Sequence, residues 1–205
     1  MCINANASLS TFIFSIIGSI ILIFFGNKKY HKENLLTGLL FIYVAFMQIF
    51  EYFMWIDLDD KKGYNKIATI LAPLFNYSQP TLIFIVKSFM YNKSNIYVSI
   101  INLIYFVYVL FRYNTFLTSE KIITTIKYDH LHWEWTKYFN ILFYMIMLII
   151  NLFVFIDIRY ASLIFFFIFG TFFVSVYYFK QHIGEFWCFL VAYTPILILA
   201  CTYLI

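Results

Sequence analysis

The stretch Asn34-LLTGLLFIYVAFMQIFEYFMW-Ile56 decides how this chain is built. An α-helix needs about 20 mostly apolar residues to cross a bilayer, and residues 34–56 supply that length with one carboxylate, Glu51, well inside it. An ionisable group in hydrocarbon costs about 2.5 kcal/mol or more even on lenient insertion scales, so it faces other helices or a watery cavity and finds a partner there. Gln48, Glu51 and Trp55 fall at i, i+3 and i+7, which puts them on one face of such a helix.

Six further segments have the same character, giving spans at 8–26, 34–56, 66–90, 95–112, 138–157, 160–180 and 184–205. A backbone in lipid must satisfy its hydrogen bonds internally, and no alternating ten-residue barrel pattern is present. The expectation is an all-α polytopic membrane protein: one seven-transmembrane-helix bundle over residues 1–205. Composition agrees, since 63% of the chain is hydrophobic and 12% charged, with mean hydropathy +0.84, against about 45–50% and about 25% in soluble domains. Phe, Tyr, Ile, Asn and Lys are abundant while Ala, Gly and Pro are scarce, as in an AT-rich coding genome. The segment Met1-CINANAS holds no lysine or arginine and runs into a span-length apolar stretch, so residues 8–25 read as a first span, not a cleaved signal.

The net charge of +4 is dispersed, which argues against nucleic acid as a partner and leaves the lipid bilayer and an unknown ion or small molecule. Lys28, Lys29 and Lys32 follow the first span. By the positive-inside rule their loop is cytoplasmic, the N-terminus extracytoplasmic and the C-terminus cytoplasmic. Lys87 counts with that cytoplasmic charge.

Two prolines interrupt spans in similar surroundings: Asn76-YSQP-Thr81 in the third and Ala192-YTP-Ile196 in the seventh. Helix breaks at matched positions of two halves mark a binding site in many transporters. The third span would bring Asn76, Ser78 and Gln79 to mid-membrane, near enough to hydrogen-bond Glu51. The candidate pocket for an ion, proton or small molecule is therefore Gln48, Glu51, Trp55, Asn76, Ser78 and Gln79, with Cys2, Ser8, Trp187 and Cys188 as its rim. An odd number of spans returns Cys188 to the end where Cys2 begins, so the first and last helices should lie side by side and the two cysteines approach, within bonding reach if their Cα atoms come within about 7 Å.

The long connection before the fifth span contains Tyr128-DHLHWEW-Thr136, read as an interfacial aromatic belt. Asp129, His130, His132 and Glu134 are competent metal ligands, but their spacing matches no recognised closed site. Hydrolase, phosphate-loop, dinucleotide and zinc-protease motifs are absent, and no cofactor is implied. The residues point to a transporter or channel-like protein, with a non-catalytic heptahelical scaffold or receptor-like protein as the alternative and a lipid-directed enzyme behind both.

Met1-Cys2 followed by Asn6-Ala7-Ser8, then Gln48-IFEYFM-Trp55 and Trp187-Cys188-Phe189, resemble the pattern of an uncharacterised family of small seven-helix membrane proteins of bacteria, large DNA viruses and some protists. Asn4 stands where that family commonly has serine, and Tyr52 where glycine usually follows the glutamate. The resemblance implies seven helices and the same choice of residues. It implies no activity.

Overall fold

The computed structural model describes residues 4–91, 95–119, 122–127, 130–153, 157–178 and 183–204. The helices are α1 (Ala5–Phe25), α2 (His31–Ile56), α3 (Tyr64–Tyr77), α4 (Gln79–Tyr91), α5 (Ile96–Leu117), α6 (Ile141–Phe153), α7 (Ile158–Tyr178), α8 (Ile183–Val191) and α9 (Thr194–Cys201). Among the described residues α1, α2, α5 and α7 are each long and apolar enough to cross a membrane, and α3 with α4 makes a fifth if the bent pair counts as one. All-α architecture follows, with one small exception: the antiparallel strands β1 (Thr125–Lys127) and β2 (His130–His132).

Two of the expected spans are broken, and both breaks fall at the proline motifs. Between α3 and α4 the axis bends by 54° around Ser78. Pro80 has no amide hydrogen to return to the carbonyl four residues earlier, and its ring disfavours a straight helix there. The Tyr105 hydroxyl donates to the Tyr77 carbonyl at 2.8 Å, so the opened backbone is satisfied from α5. In the last segment the helix stops at Ala192–Tyr193 and restarts at Thr194, with Pro195 in its first turn, where a missing N–H costs nothing. The fifth segment also starts later than expected, at Ile141, because residues Glu134–Tyr138 form a 3₁₀ turn.

The segments run alternately up and down. Ser15 Oγ donates to the Phe41 carbonyl at 3.5 Å across antiparallel α1 and α2. α9 runs parallel to α1: Pro195 and Ile196 lie beside Gly18, the Tyr203 hydroxyl donates to the Phe25 carbonyl and Asn27 Nδ2 to the Thr202 carbonyl. First and last segments are thus neighbours, as expected. Cys2 lies outside the described residues.

Helices of similar apolarity to lipid gain little by burying more carbon, so close approach and shape decide their packing. The buried side of α1 accordingly carries Ser8, Thr11, Ser15 and Ser19, with Gly18 against Pro195 and Ile196 of α9. On α2, a Cβ on Gly38 would stand 2.3 Å from Ile23 Cγ1 and 3.0 Å from the Ser19 carbonyl oxygen.

The long connection is not an interfacial aromatic belt. Trp133 and Trp135 are 1% and 0% exposed and stack at 4.9 Å, because the hairpin and 3₁₀ turn fold back over the end of the bundle. Thr124 anchors them. Its amide donates to Asn65 Oδ1 and its carbonyl accepts from Asn65 Nδ2, while its hydroxyl shares a 2.9 Å bond with Thr69. Arg112 Nε donates to the Tyr138 carbonyl and the Asn140 amide to the Tyr108 hydroxyl.

Substituting Gly38→Leu should destabilise the protein by about 1–3 kcal/mol, the usual cost of overpacking, whereas Gly170→Ala, where an added Cβ meets nothing, should be neutral or better. Thermal unfolding in detergent followed by circular dichroism checks the contrast. Asp57 gives a second test. Burial pushes its carboxyl up, but the backbone amides of Lys62, Tyr64, Asn65 and Lys61 more than reverse this, leaving it below the ordinary carboxylate range. A depressed folded value stabilises the fold above the unfolded carboxyl's pKa, about 3.9, and this is lost as pH falls through the folded value. Asp57→Asn should be less stable than wild type at neutral pH, and the gap should close below about pH 4; a gap unchanged at low pH rules out the charge as its source.

Candidate functional site

A cavity lies at the first break, walled by α6, α7 and α8. Its outer part, of about 290 Å³, is lined by Asn76 and Tyr77 at the end of α3, His132 and Trp133 of the folded-back connection, and Gly184, Trp187 and Cys188 of α8. Its inner part holds about 20 Å³, room for one water-sized group, and reaches Gln79, Tyr144, Leu148, Ile168 and Val191. Asn76, Trp187 and Cys188 belong to both. Thr136 and Ile141, both exposed, form the rim at the end of the bundle where α1 begins.

The walls are aromatic and interlocked. Tyr77 stacks on Phe139 at 4.0 Å and meets Tyr144 edge-on at 5.5 Å, while Trp187 meets Tyr144 and Phe172 edge-on at 5.9 and 5.3 Å. Trp187 is oriented by its indole N–H, which donates to the Ile168 carbonyl at 2.9 Å. Gly184 lets the Trp133 ring lie against the start of α8, since a Cβ there would already touch that ring at 3.3 Å. In the inner corner the Tyr144 hydroxyl donates to Gln79 Oε1 at 2.6 Å, and Gln79 Nε2 reaches Asn76 Oδ1 at 3.5 Å.

Four of the residues singled out from sequence therefore meet in one place: Asn76, Gln79, Trp187 and Cys188. The others are elsewhere. Ser78 turns toward α2, sharing a 2.7 Å hydrogen bond with the Tyr43 hydroxyl. Gln48 and Glu51 are fully buried on the bundle-facing side of α2 and Trp55 is half-buried, and none of them lines either part of the cavity. The expected bond from Glu51 to the Asn76–Gln79 group is not made. Register is the reason: Tyr43 stacks on Phe75 and Phe53 meets Tyr64, so Glu51 lies opposite the first half of α3, roughly 12 Å beyond Tyr43 at 1.5 Å per residue. Ser8 is buried at the α1–α2 seam, level with Gln48 by the same antiparallel register.

Asp129 lies outside the described residues. His132 lines the cavity with its ring 3.9 Å from Glu134, His130 sits on β2, and among the described residues no three His, Cys, Asp or Glu gather as a metal site.

Sequence reasoning missed Tyr144 and a second polar centre, where Asn102 and Asn151 exchange hydrogen bonds at 3.0 and 2.8 Å and Asn151 Nδ2 also donates to the Pro80 carbonyl. Lys87 is part of it. Its Nζ donates to the Asn151 carbonyl, and it is 1% exposed inside α4, not a loop charge at the membrane surface. Single polar residues within apolar runs were the available signal. The bundle's other end is closed by Tyr160 donating to Asn34 Oδ1, Asn34 donating to the Asn27 carbonyl, and Tyr91 donating to Glu33.

Tyr144→Phe should leave the buried Gln79 carbonyl without its donor and cost about 1–3 kcal/mol; an unchanged melting temperature would show that bond to be dispensable. No family model, curated protein or solved structure matches this chain.

Proposed function

We propose that the chain is an integral membrane protein whose seven apolar segments each cross the bilayer, N-terminus outside, and that it takes up a small molecule or ion through the cavity between its two broken helices. The observation that carries this reading is the aromatic-walled cavity that opens at the α3–α4 break and runs along α8 to Val191, its last residue before the second break. Discontinuous helices around a central site are how many transporters free polar groups for a substrate without exposing backbone to lipid. The cavity has its rim at one end of the bundle, and hydrogen bonds tie the opposite end shut, as alternating access requires of one of its states. Glu51, fully buried in an apolar helix, is the ionisable group suited to couple a proton or cation to the cycle, since such groups inside membrane spans face the bundle interior. Lys28, Lys29 and Lys32 set the orientation.

In a background without the native cysteines, a membrane-impermeant thiol reagent should label Thr136→Cys from outside and Lys29→Cys only from inside. Labelling with the opposite sidedness ends the orientation, and an unreactive Thr136→Cys ends the open cavity. In proteoliposomes carrying a pH-sensitive dye, Glu51→Gln should abolish proton movement while preserving the melting temperature. Flux equal to wild type would leave Glu51 as helix glue and favour a scaffold.

A further inference from the structure

Resting on the reading of this cavity as a binding site, the geometry points to its ligand class: an uncharged, flat molecule that presents a hydrogen-bond acceptor, such as a carbonyl oxygen or ring nitrogen, to Asn76 and Gln79. The polar corner offers donors more than acceptors. Gln79 Oε1 is taken by the Tyr144 hydroxyl at 2.6 Å, and Asn76 Oδ1 faces Gln79 Nε2 at 3.5 Å. That contact is at the outer limit of a hydrogen bond, so Gln79 Nε2 and Asn76 Oδ1 are both only weakly engaged, and among the described residues nothing accepts from Asn76 Nδ2; the corner offers two amide nitrogens against one weakly held amide oxygen. Two carboxamide N–H donors thus remain for an acceptor on the ligand. The Trp187 N–H is not among them, being used by the Ile168 carbonyl.

Charge is disfavoured on both signs. The described walls of the inner corner hold no histidine, lysine, arginine, aspartate or glutamate, an ion stripped of water without a countercharge is costly, and in the outer part the one such group, His132, already stands 3.9 Å from Glu134. An organic cation would gain from the aromatic faces but would find a single amide oxygen, Asn76 Oδ1, and no carboxylate in the inner corner to balance its charge. Flatness follows from the walls. Tyr77 lies parallel to Phe139 at 4.0 Å while Trp187 presents itself edge-on to Tyr144 and Phe172, an arrangement of faces and edges that suits another ring. A cavity of about 290 Å³ is at the small end of ligand sites.

The test uses the full chain in nanodiscs and isosteric probes: benzamide, benzamidinium and benzoate share one ring and one planar head but are neutral, cationic and anionic, and cyclohexanecarboxamide keeps the amide without the flat ring. Saturation-transfer NMR with tryptophan fluorescence should show benzamide binding at least about tenfold more tightly than either ion, a ratio worth about 1.4 kcal/mol, and more tightly than cyclohexanecarboxamide. Asn76→Leu should weaken benzamide about fivefold, the share of one neutral hydrogen bond. Because Asn76 sits at a helix break, Ile141→Trp provides a second variant: it fills the cavity from its exposed rim and should abolish binding with the melting temperature unchanged. Equal or tighter binding of benzamidinium, benzoate or cyclohexanecarboxamide overturns the proposal, as does benzamide binding that survives Ile141→Trp, or no binding of any probe. If no probe binds while Thr136→Cys is still labelled from outside, the ligand class fails and the open cavity stands; an unlabelled Thr136→Cys removes both.

Discussion

The rest of this structure depends on the obligation of backbone polar groups to find partners where water is scarce. In straight helices the requirement is met within each segment, which is why α1, α2, α5 and α7 need little from their neighbours except shape. At the proline-linked breaks it is met from outside the segment. The Tyr105 hydroxyl reaches the Tyr77 carbonyl and Asn151 reaches the Pro80 carbonyl, so α5 and α6 are held against the bend by backbone carbonyls on either side of it. A polar side chain there is a structural necessity before it is anything else.

The same arrangement produces the cavity. The third segment bends by 54°, and the cavity is lined by residues on both sides of that bend and by α8 as far as its last residue, Val191. The space between them cannot be closed by straight helices, and it is filled partly by Trp133 and Trp187, fixed by Gly184 and by the Ile168 carbonyl. At the opposite end the segments are unbroken or short, and Asn27, Asn34, Tyr160 and Thr202 tie four of them together through directional bonds. The asymmetry between an open end and a tied end is therefore a consequence of where the prolines stand.

Polar groups buried away from the cavity divide into two kinds. Asn102, Asn151, Asn65, Thr69 and Thr124 form closed sets in which donors and acceptors answer each other. Such sets specify how helices and loops dock, because half of a set left unmade costs more than the whole contributes. The other kind is a pair on a single helix, Gln48 and Glu51, fully buried on α2.

Much of this was legible in the sequence. The apolar runs determined the helical class and the approximate bounds of each segment, because span length and backbone satisfaction leave few options. The motifs Asn76-YSQP-Thr81 and Ala192-YTP-Ile196 located both breaks, since proline acts locally; of the ten residues expected to share one pocket and rim, Asn76, Gln79, Trp187 and Cys188 line the cavity, while Gln48, Glu51, Trp55, Ser78 and Ser8 lie elsewhere. Register between helices was not legible. Whether Glu51 meets Asn76 depends on how far α3 is displaced along α2, and that is set by the loop at Asp57, whose carboxylate accepts from the Lys62 and Tyr64 amides, and by the stacking of Tyr43 on Phe75. Nor does a run of aromatic and histidine residues reveal that Trp133 and Trp135 turn inward, which required Thr124 to dock on Asn65 and Thr69 some 55–59 residues away. Periodicity and proline chemistry act within a few residues and are written in the chain; relative depth, and which side chain answers which, arise only when separate segments pack.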